Sequence, residues 1–387
     1  MDNPSLSTPL TDRRVTSGQR LLSLDVLRGL TVALMILVNN AGDGAVSYAQ
    51  LRHSIWNGCT LTDIVFPLFL FITGASIALS FRVRLARGVA RSTILMQVLK
   101  RSVLIAAIGL LLNALPHFSM GELRYYGVLQ RIALCYLCGS IIYLFGGVTA
   151  CVVGIIAALG GYWFLMLHVT VPGIGLPGVT VGVLDCYGNM ASWFDRLLMP
   201  AAHLYHHGDY DPEGLLSTVP AIATTLFGVL SALWLQRPSD AWRKAATLLL
   251  CGFILMACGL LWAHHFPLNK RLWTSSFVLF TGGISMMLFA LLFWGIDGPY
   301  RLRRGLAPWM VFGTNALSAY VFSEMLAIAL AAVAMPRGGN LQQLLFHLLP
   351  DWLGPRPFVS LVYSVLFVVA CAAPLVPLYR RKIFLKL

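Results

Sequence analysis

Charge is scarce in this chain: 11% of its 387 residues are Asp, Glu, Lys or Arg, 58% are hydrophobic, and the mean hydropathy is +0.77. A soluble enzyme, with roughly a quarter of its residues charged, is excluded. Acid is the scarcer sign, 15 residues against 28 basic ones. The net charge of +13 comes with no basic-aromatic motif, so it excludes a nucleic-acid partner and points to contact with membrane lipid headgroups. Cysteine offers little chemistry: Cys135, Cys138, Cys151, Cys251, Cys258 and Cys371 all fall in apolar runs, where a thiol packs as a small hydrophobe. Cys135-x-x-Cys138 has redox spacing but lies in an apolar helix, and is read as core packing. Cys59 and Cys186 remain, and a disulfide between them would suit an oxidising compartment, although sequence does not establish that they meet. No H-E-x-x-H pattern occurs. His203, His206 and His207, at i, i+3 and i+4, would share a helical face on the same side as His264 and His265, yet no metal site is assigned.

What is present is a series of apolar runs. They lie near 24–42, 63–82, 99–116, 127–146, 148–167, 216–236, 244–264, 273–295, 309–334 and 358–379, each about long enough to cross a bilayer. The fold class is therefore all-α, a polytopic membrane bundle of ten helices forming one domain over 23–387 behind a polar tail at 1–22. The tail has no apolar core with a small-residue cleavage site, so the first run is expected to be an uncleaved signal-anchor. Assigning loops alternately to two faces puts 20 of the 28 basic residues on one of them, which the positive-inside rule reads as cytoplasmic, with both termini there. The segment 168–215 then falls on the other face and separates two sets of five runs. That arrangement permits an inverted repeat, but the halves share no motif. Tyr187, Trp193, Phe194, Tyr205 and Tyr210 give this segment apolar surface to dock on headgroups or on the bundle.

Polar groups at a bilayer boundary are costly unless they meet partners, substrate or water, so they mark candidate sites. The densest group lies between the first two runs: Asn39, Asn40, Asp43, His53, Trp56, Asn57 and Asp63. His53 is either a solvated loop histidine or a group that takes a proton or an acyl group. Asn39 and Asn40 can hydrogen-bond an imidazole or polarise a carbonyl. Asp63 can cap the second helix, the simpler reading, or orient His53. Asp211, Pro212 and Glu213 suit a helix start, and the two carboxylates equally suit a cationic amine substrate. Arg131 and Glu324 are polar groups within apolar runs that can pair with each other or hold substrate, while Asp25 and Arg28, at i and i+3, form a local ion pair or contact an anionic cofactor.

Ser23-Leu24-Asp25-x-x-Arg28-Gly29, Val38-Asn39 and His53-Ser54-x-Trp56-Asn57-Gly58-x-Thr60-x-x-Asp63-x-x-x-Pro67 together resemble the transmembrane acyltransferases typified by heparan-alpha-glucosaminide N-acetyltransferase, including bacterial NagX-like members. Leu129-Gln130-Arg131, Asp211 to Leu215, Leu272-Trp273-Thr274 and Asn315-Ala316-Leu317-x-x-Tyr320 look like further family segments in the same order. The resemblance implies transfer of an acetyl group from cytosolic acetyl-CoA to the amine of a glucosamine-type sugar across the membrane. His53 matches the family's active-site histidine and Asn39 an asparagine implicated beside it.

The expected protein is thus an acetyl-CoA-dependent N-acetyltransferase of the bacterial inner membrane, with an amino sugar as acceptor and dimerisation left open. His53, Asn39 and Asp63 are the expected catalytic set. Asn40, Trp56, Asn57, Arg131, Asp211, Glu213 and Glu324 are expected around the substrate, and Arg28 with Asp25 at the cofactor. The rival readings are a sugar or amphiphile transporter without chemistry, and an O-acetyltransferase acting on a cell-envelope glycan.

Overall fold

A bilayer leaves backbone N–H and C=O groups no water to bond, so apolar runs of this length must close their hydrogen bonds internally as helices. The computed structural model describes residues 21–115, 118–335 and 338–384, and among these no strand forms. The α-helices are α1 (Leu22–Asn39), α2 (Leu61–Ala86), α3 (Arg91–Ala114), α4 (Val128–His168), α5 (Met190–Leu198) and α6 (Leu215–Leu235). They continue with α7 (Ala241–Trp262), α8 (Ser275–Leu292), α9 (Ala307–Thr314), α10 (Ala316–Ala332), α11 (Leu341–His347) and α12 (Arg356–Arg380). Among the described residues eight are long and apolar enough to cross a membrane, and α9 with α10 forms a ninth, bent candidate.

Two of the ten expected runs, 127–146 and 148–167, join in α4. Its 41 residues would extend about 60 Å if straight, twice the hydrocarbon thickness. The helix instead breaks at Gly147, whose φ of +63° a residue with a Cβ adopts only under strain. Arg131 near its start lies 5.0 Å over the Trp273 ring, and Tyr162 near its end donates to the Leu272 carbonyl at 2.6 Å. The two arms therefore fold back beside each other. The ninth run, expected over 309–334, is bent: α9 and α10 meet at 84° across Asn315. Asn315 is buried, its backbone leaves the helical region, and its amide donates to the Ile383 carbonyl at 3.2 Å. A side-chain amide that bonds elsewhere in this way competes with continuation of the helix.

Helices α1, α2, α6 and α8 form the interior, with 61–72% of their most apolar stretches buried, whereas α3, α4 and α7, at 17–28%, face outward. Glycine allows the close approach of the inner helices. A Cβ on Gly74 of α2 would strike the Thr225 carbonyl of α6, and one on Gly228 would strike the Phe71 carbonyl in return; Gly29 and Gly313 are matched in the same way between α1 and α9. At one end of the bundle the Leu22 and Ser23 amides donate to Asp297, and Arg82 donates to Gln236, which gathers the Arg-rich connections together. The connections 40–60, 118–127, 168–214 and 263–274 meet at the opposite end. Of the expected tail, residues 1–20 with Arg13, Arg14 and Arg20 lie outside the described residues, as does Lys386.

Candidate active site

Asp63 occupies the first turn of α2 and is fully buried. Its Oδ2 accepts from the Thr60 amide (3.0 Å), the Thr60 hydroxyl (3.0 Å) and the Ser54 amide (3.1 Å), satisfying donors that a helix start leaves unpaired. Its Oδ1 lies 2.8 Å from His53 Nδ1. The carboxylate thus contacts the helix start through one oxygen and His53 through the other. A carboxylate at this distance assigns a proton to Nδ1 and leaves Nε2 as the acceptor of the ring. The imidazole remains reachable, with 44% of its side chain exposed.

His53 opens on a cavity of about 410 Å³ lined by Val38, Asn39, Ala41, Gly44, Ser47, Leu51 and Arg52 as well. The end of α1 and the loop behind it therefore bring Asn39 and His53 to one space. Asn40 is placed otherwise. Its buried side-chain amide donates to the Ile36 carbonyl at 2.8 Å, its backbone carbonyl accepts from the Ser364 hydroxyl, and it is not among the lining residues. Trp56 docks outward, donating to the Leu184 carbonyl at 2.7 Å and standing edge-on to Tyr210.

Asn57 belongs to a latch. The Gly58 amide donates to the Leu268 carbonyl at 2.7 Å, Asn269 donates to Asn57 Oδ1 at 3.2 Å, and Asn269 Oδ1 accepts from the Leu272 amide at 2.9 Å. This latch fixes Lys270, whose Nζ lies 3.0 Å from His53 Nδ1, 3.3 Å from Nε2 and 3.8 Å from Asp63 Oδ1. Burial pulls the Lys270 amine below the usual lysine range, opposed by Asp63 and Glu213. Cys59 in the same loop is no nucleophile: burial, with Asp63 adding to it, pushes the thiol up to about 12. Cys59 and Cys186 are both unpaired thiols.

A second ionic cluster lies behind this one. Asp211 and Glu213 do not cap α6, which starts after Gly214; both bind Arg124, Asp211 through paired contacts of 2.8 and 2.6 Å. Burial opposes ionisation of Glu213, but Arg124, Arg131 and Lys270 prevail and hold it below the ordinary carboxylate range. Arg131 is fully buried and bonds Ser217, Thr218 and the Gly214 carbonyl, so the pairing with Glu324 is not formed; Glu324 lies beside Tyr320. Asp195 of α5 accepts from the Asp211 amide, and burial, reinforced by Asp211, pushes its carboxyl up to about 7.

At the far end Arg28 pairs with Asp25 at 3.1 Å and also donates to the Gly313 carbonyl and to Ser76. It ties α1 to α9 and α2, and a phosphate bound there would compete with those bonds. His203, His206 and His207 do not share a helical face, because two short 3₁₀ turns replace the helix and His206 takes a positive φ. Sequence reading passed over Lys270 and Arg124. A signal was available: eight basic residues, Arg52, Arg124, Arg131, Arg196, Lys270, Arg271, Arg337 and Arg356, fall outside the charge-rich face, and three of them stand in these clusters.

Fold and site together define a multi-pass helical membrane protein with a carboxylate-oriented histidine open to a cavity at one end of the bundle. Comparison with known proteins narrows this. The family profile described as heparan-alpha-glucosaminide N-acetyltransferase, catalytic, matches residues 20–180. The heparan-alpha-glucosaminide N-acetyltransferase of Mus musculus is 29% identical over 384 residues, covering 84% of this chain and 57% of the relative. That of Homo sapiens is 30% identical over 370 residues, covering 82% and 54%. The chain belongs to this transmembrane acyltransferase family, and it spans about half the length of the curated relatives it matches.

Proposed function

We propose that the protein transfers an acetyl group from cytosolic acetyl-CoA to the amine of a glucosamine-type sugar at the periplasmic side of a bacterial inner membrane. The observation that carries this reading is the Asp63–His53 pair opening, together with Asn39, on one cavity. Asp63 holds the ring so that Nε2 faces the reacting groups. As the acceptor amine attacks the acetyl carbonyl, Nε2 takes the amine proton and returns it to the departing CoA thiolate; in the two-step variant Nε2 itself carries the acetyl group. Asn39 steadies the oxyanion through its amide N–H. The cavity suits an acetyl thioester and the arm behind it. A 1.5 Å rise per residue sets Arg28 about 17 Å before Asn39 along α1, so a donor entering from the basic end passes along this helix. Glu324, beside Tyr320, is the carboxylate assigned to the acceptor's ammonium group.

The test is acetyl transfer by purified protein from labelled acetyl-CoA, with and without glucosamine, for wild type and His53→Ala. Labelled N-acetylglucosamine formed by wild type and lost with a folded His53→Ala supports the assignment. Wild-type turnover in His53→Ala overturns it. Competition between amino and neutral sugars separates an amine acceptor from a glycan hydroxyl.

A further inference from the structure

His53 faces two demands that conflict. Orientation and the Nδ1 proton come from Asp63, but a buried carboxylate 2.8 Å away also favours a doubly protonated ring. An imidazolium has no lone pair at Nε2 with which to receive a proton or an acetyl group. A cation in the same shell removes the conflict, and Lys270 Nζ stands 3.0 Å from Nδ1, 3.3 Å from Nε2 and 3.8 Å from Asp63 Oδ1. We propose that Lys270 is a positioning residue whose ammonium balances the charge of Asp63, so that His53 stays singly protonated while bonded to the carboxylate. The inference rests on the reading of His53 as base or acetyl carrier.

Lys270 is built into this place. The Gly58–Leu268 and Asn57–Asn269 bonds pin the backbone on either side of the ring, and only 17% of the lysine side chain is exposed. Glu213, just before α6, adds a further electrostatic attraction for the amine. The other charged or titratable groups around His53 are Arg52 and Cys59 on its own loop and Arg271 beside Lys270, while α1 presents the neutral Asn39. Among the described residues, Lys270 is the one cation with contacts to both ring nitrogens and to Asp63.

The test follows the His53 ring nitrogens through a pH titration of the full chain, ¹⁵N-labelled at histidine, in detergent. His53→Gln assigns the signal, and size exclusion and melting verify each variant. Lys270→Gln is expected to raise the titration midpoint by about one pH unit or more, a tenfold gain in proton affinity, and Lys270→Arg to keep it near wild type. Asp63→Asn should move the midpoint the other way, which tests the same balance if a lysine variant folds poorly. An unchanged midpoint in Lys270→Gln, or one raised equally by Arg and Gln, overturns the proposal. In the transfer assay the acidic limb of the rate profile should rise with the midpoint. A shifted midpoint in a protein that transfers no acetyl group would reject the acetyltransferase reading and leave the charge balance standing, so the two fail separately.

Discussion

At the residue scale, Asp63 does two tasks with one carboxylate, and asparagine cannot replace it in both. In Asp63→Asn, with the amide oxygen turned toward His53, the amide N–H groups would point at the Thr60 and Ser54 donors; flipped, the amide would offer a donor to Nδ1 and force the proton onto Nε2. Asp63→Asn should therefore lower the acetyl-transfer rate by about 10²- to 10⁴-fold and cost about 1 kcal/mol of helix-start stability, read by turnover and by melting. Normal turnover would remove Asp63 from the mechanism. Asn39, His53 and Asp63 were legible in sequence because they lie within 25 residues of one another and carry a spaced pattern. Lys270 showed only as a basic residue off the charge-rich face, since it lies 217 residues beyond His53 and sits in no recognisable motif. Arg124 was hidden for a similar reason: its partners Asp211 and Glu213 read locally as helix-start residues, and only the fold, 87 residues apart, makes them a clamp.

At the scale of elements, the apolar runs were legible because length and hydropathy suffice to recognise them, and the Gly146-Gly147 step already separated the two arms of α4. The bend at Asn315 was not, because a polar residue inside an apolar run reads the same whether the helix continues or turns. The contact of α2 with α6 yields a prediction with its own control. Gly74→Val drives a side chain into the α6 backbone and should cost about 1–3 kcal/mol or more, whereas Gly160→Ala, in open space on α4, should stabilise by about 0.5–1 kcal/mol. Melting in detergent distinguishes them, and equal effects would refute the close packing. The docking of α5 carries a pH dependence. Asp195 ionises near 7 when folded against an ordinary value of 3.8, so the folded state binds its proton more tightly. Its stabilisation is complete below about 3.8 and is lost as pH rises through about 7, a change of up to roughly 4 kcal/mol. Asp195→Asn should flatten the decline in melting temperature between pH 5 and 8, and a decline as steep as wild type would assign it to another group.

At the scale of the whole molecule, the two ends of the bundle differ in charge, and the proposed reaction depends on that difference. The basic connections gather where Leu22 and Ser23 meet Asp297 and where Arg82 meets Gln236, while His53, Lys270 and the Arg124 cluster lie at the other end. If the basic end faces the cytoplasm, the cosubstrate and the histidine are on opposite sides and the acetyl group must travel through the interior formed by α1, α2, α6 and α8. If the orientation is reversed, His53 faces the cytosol directly, acetyl-CoA needs no passage, and the acceptor becomes a cytosolic amine. Ile55, two residues from His53 and 90% exposed, reports on one end, and the exposed Arg303 reports on the other. With Cys59 and Cys186 replaced by Ser, Ile55→Cys should react with a membrane-impermeant maleimide on right-side-out spheroplasts. Arg303→Cys should react only after the membrane is opened. The converse labelling pattern would overturn the transmembrane route while leaving the chemistry of His53 intact, because the geometry around its imidazole does not depend on which compartment it faces.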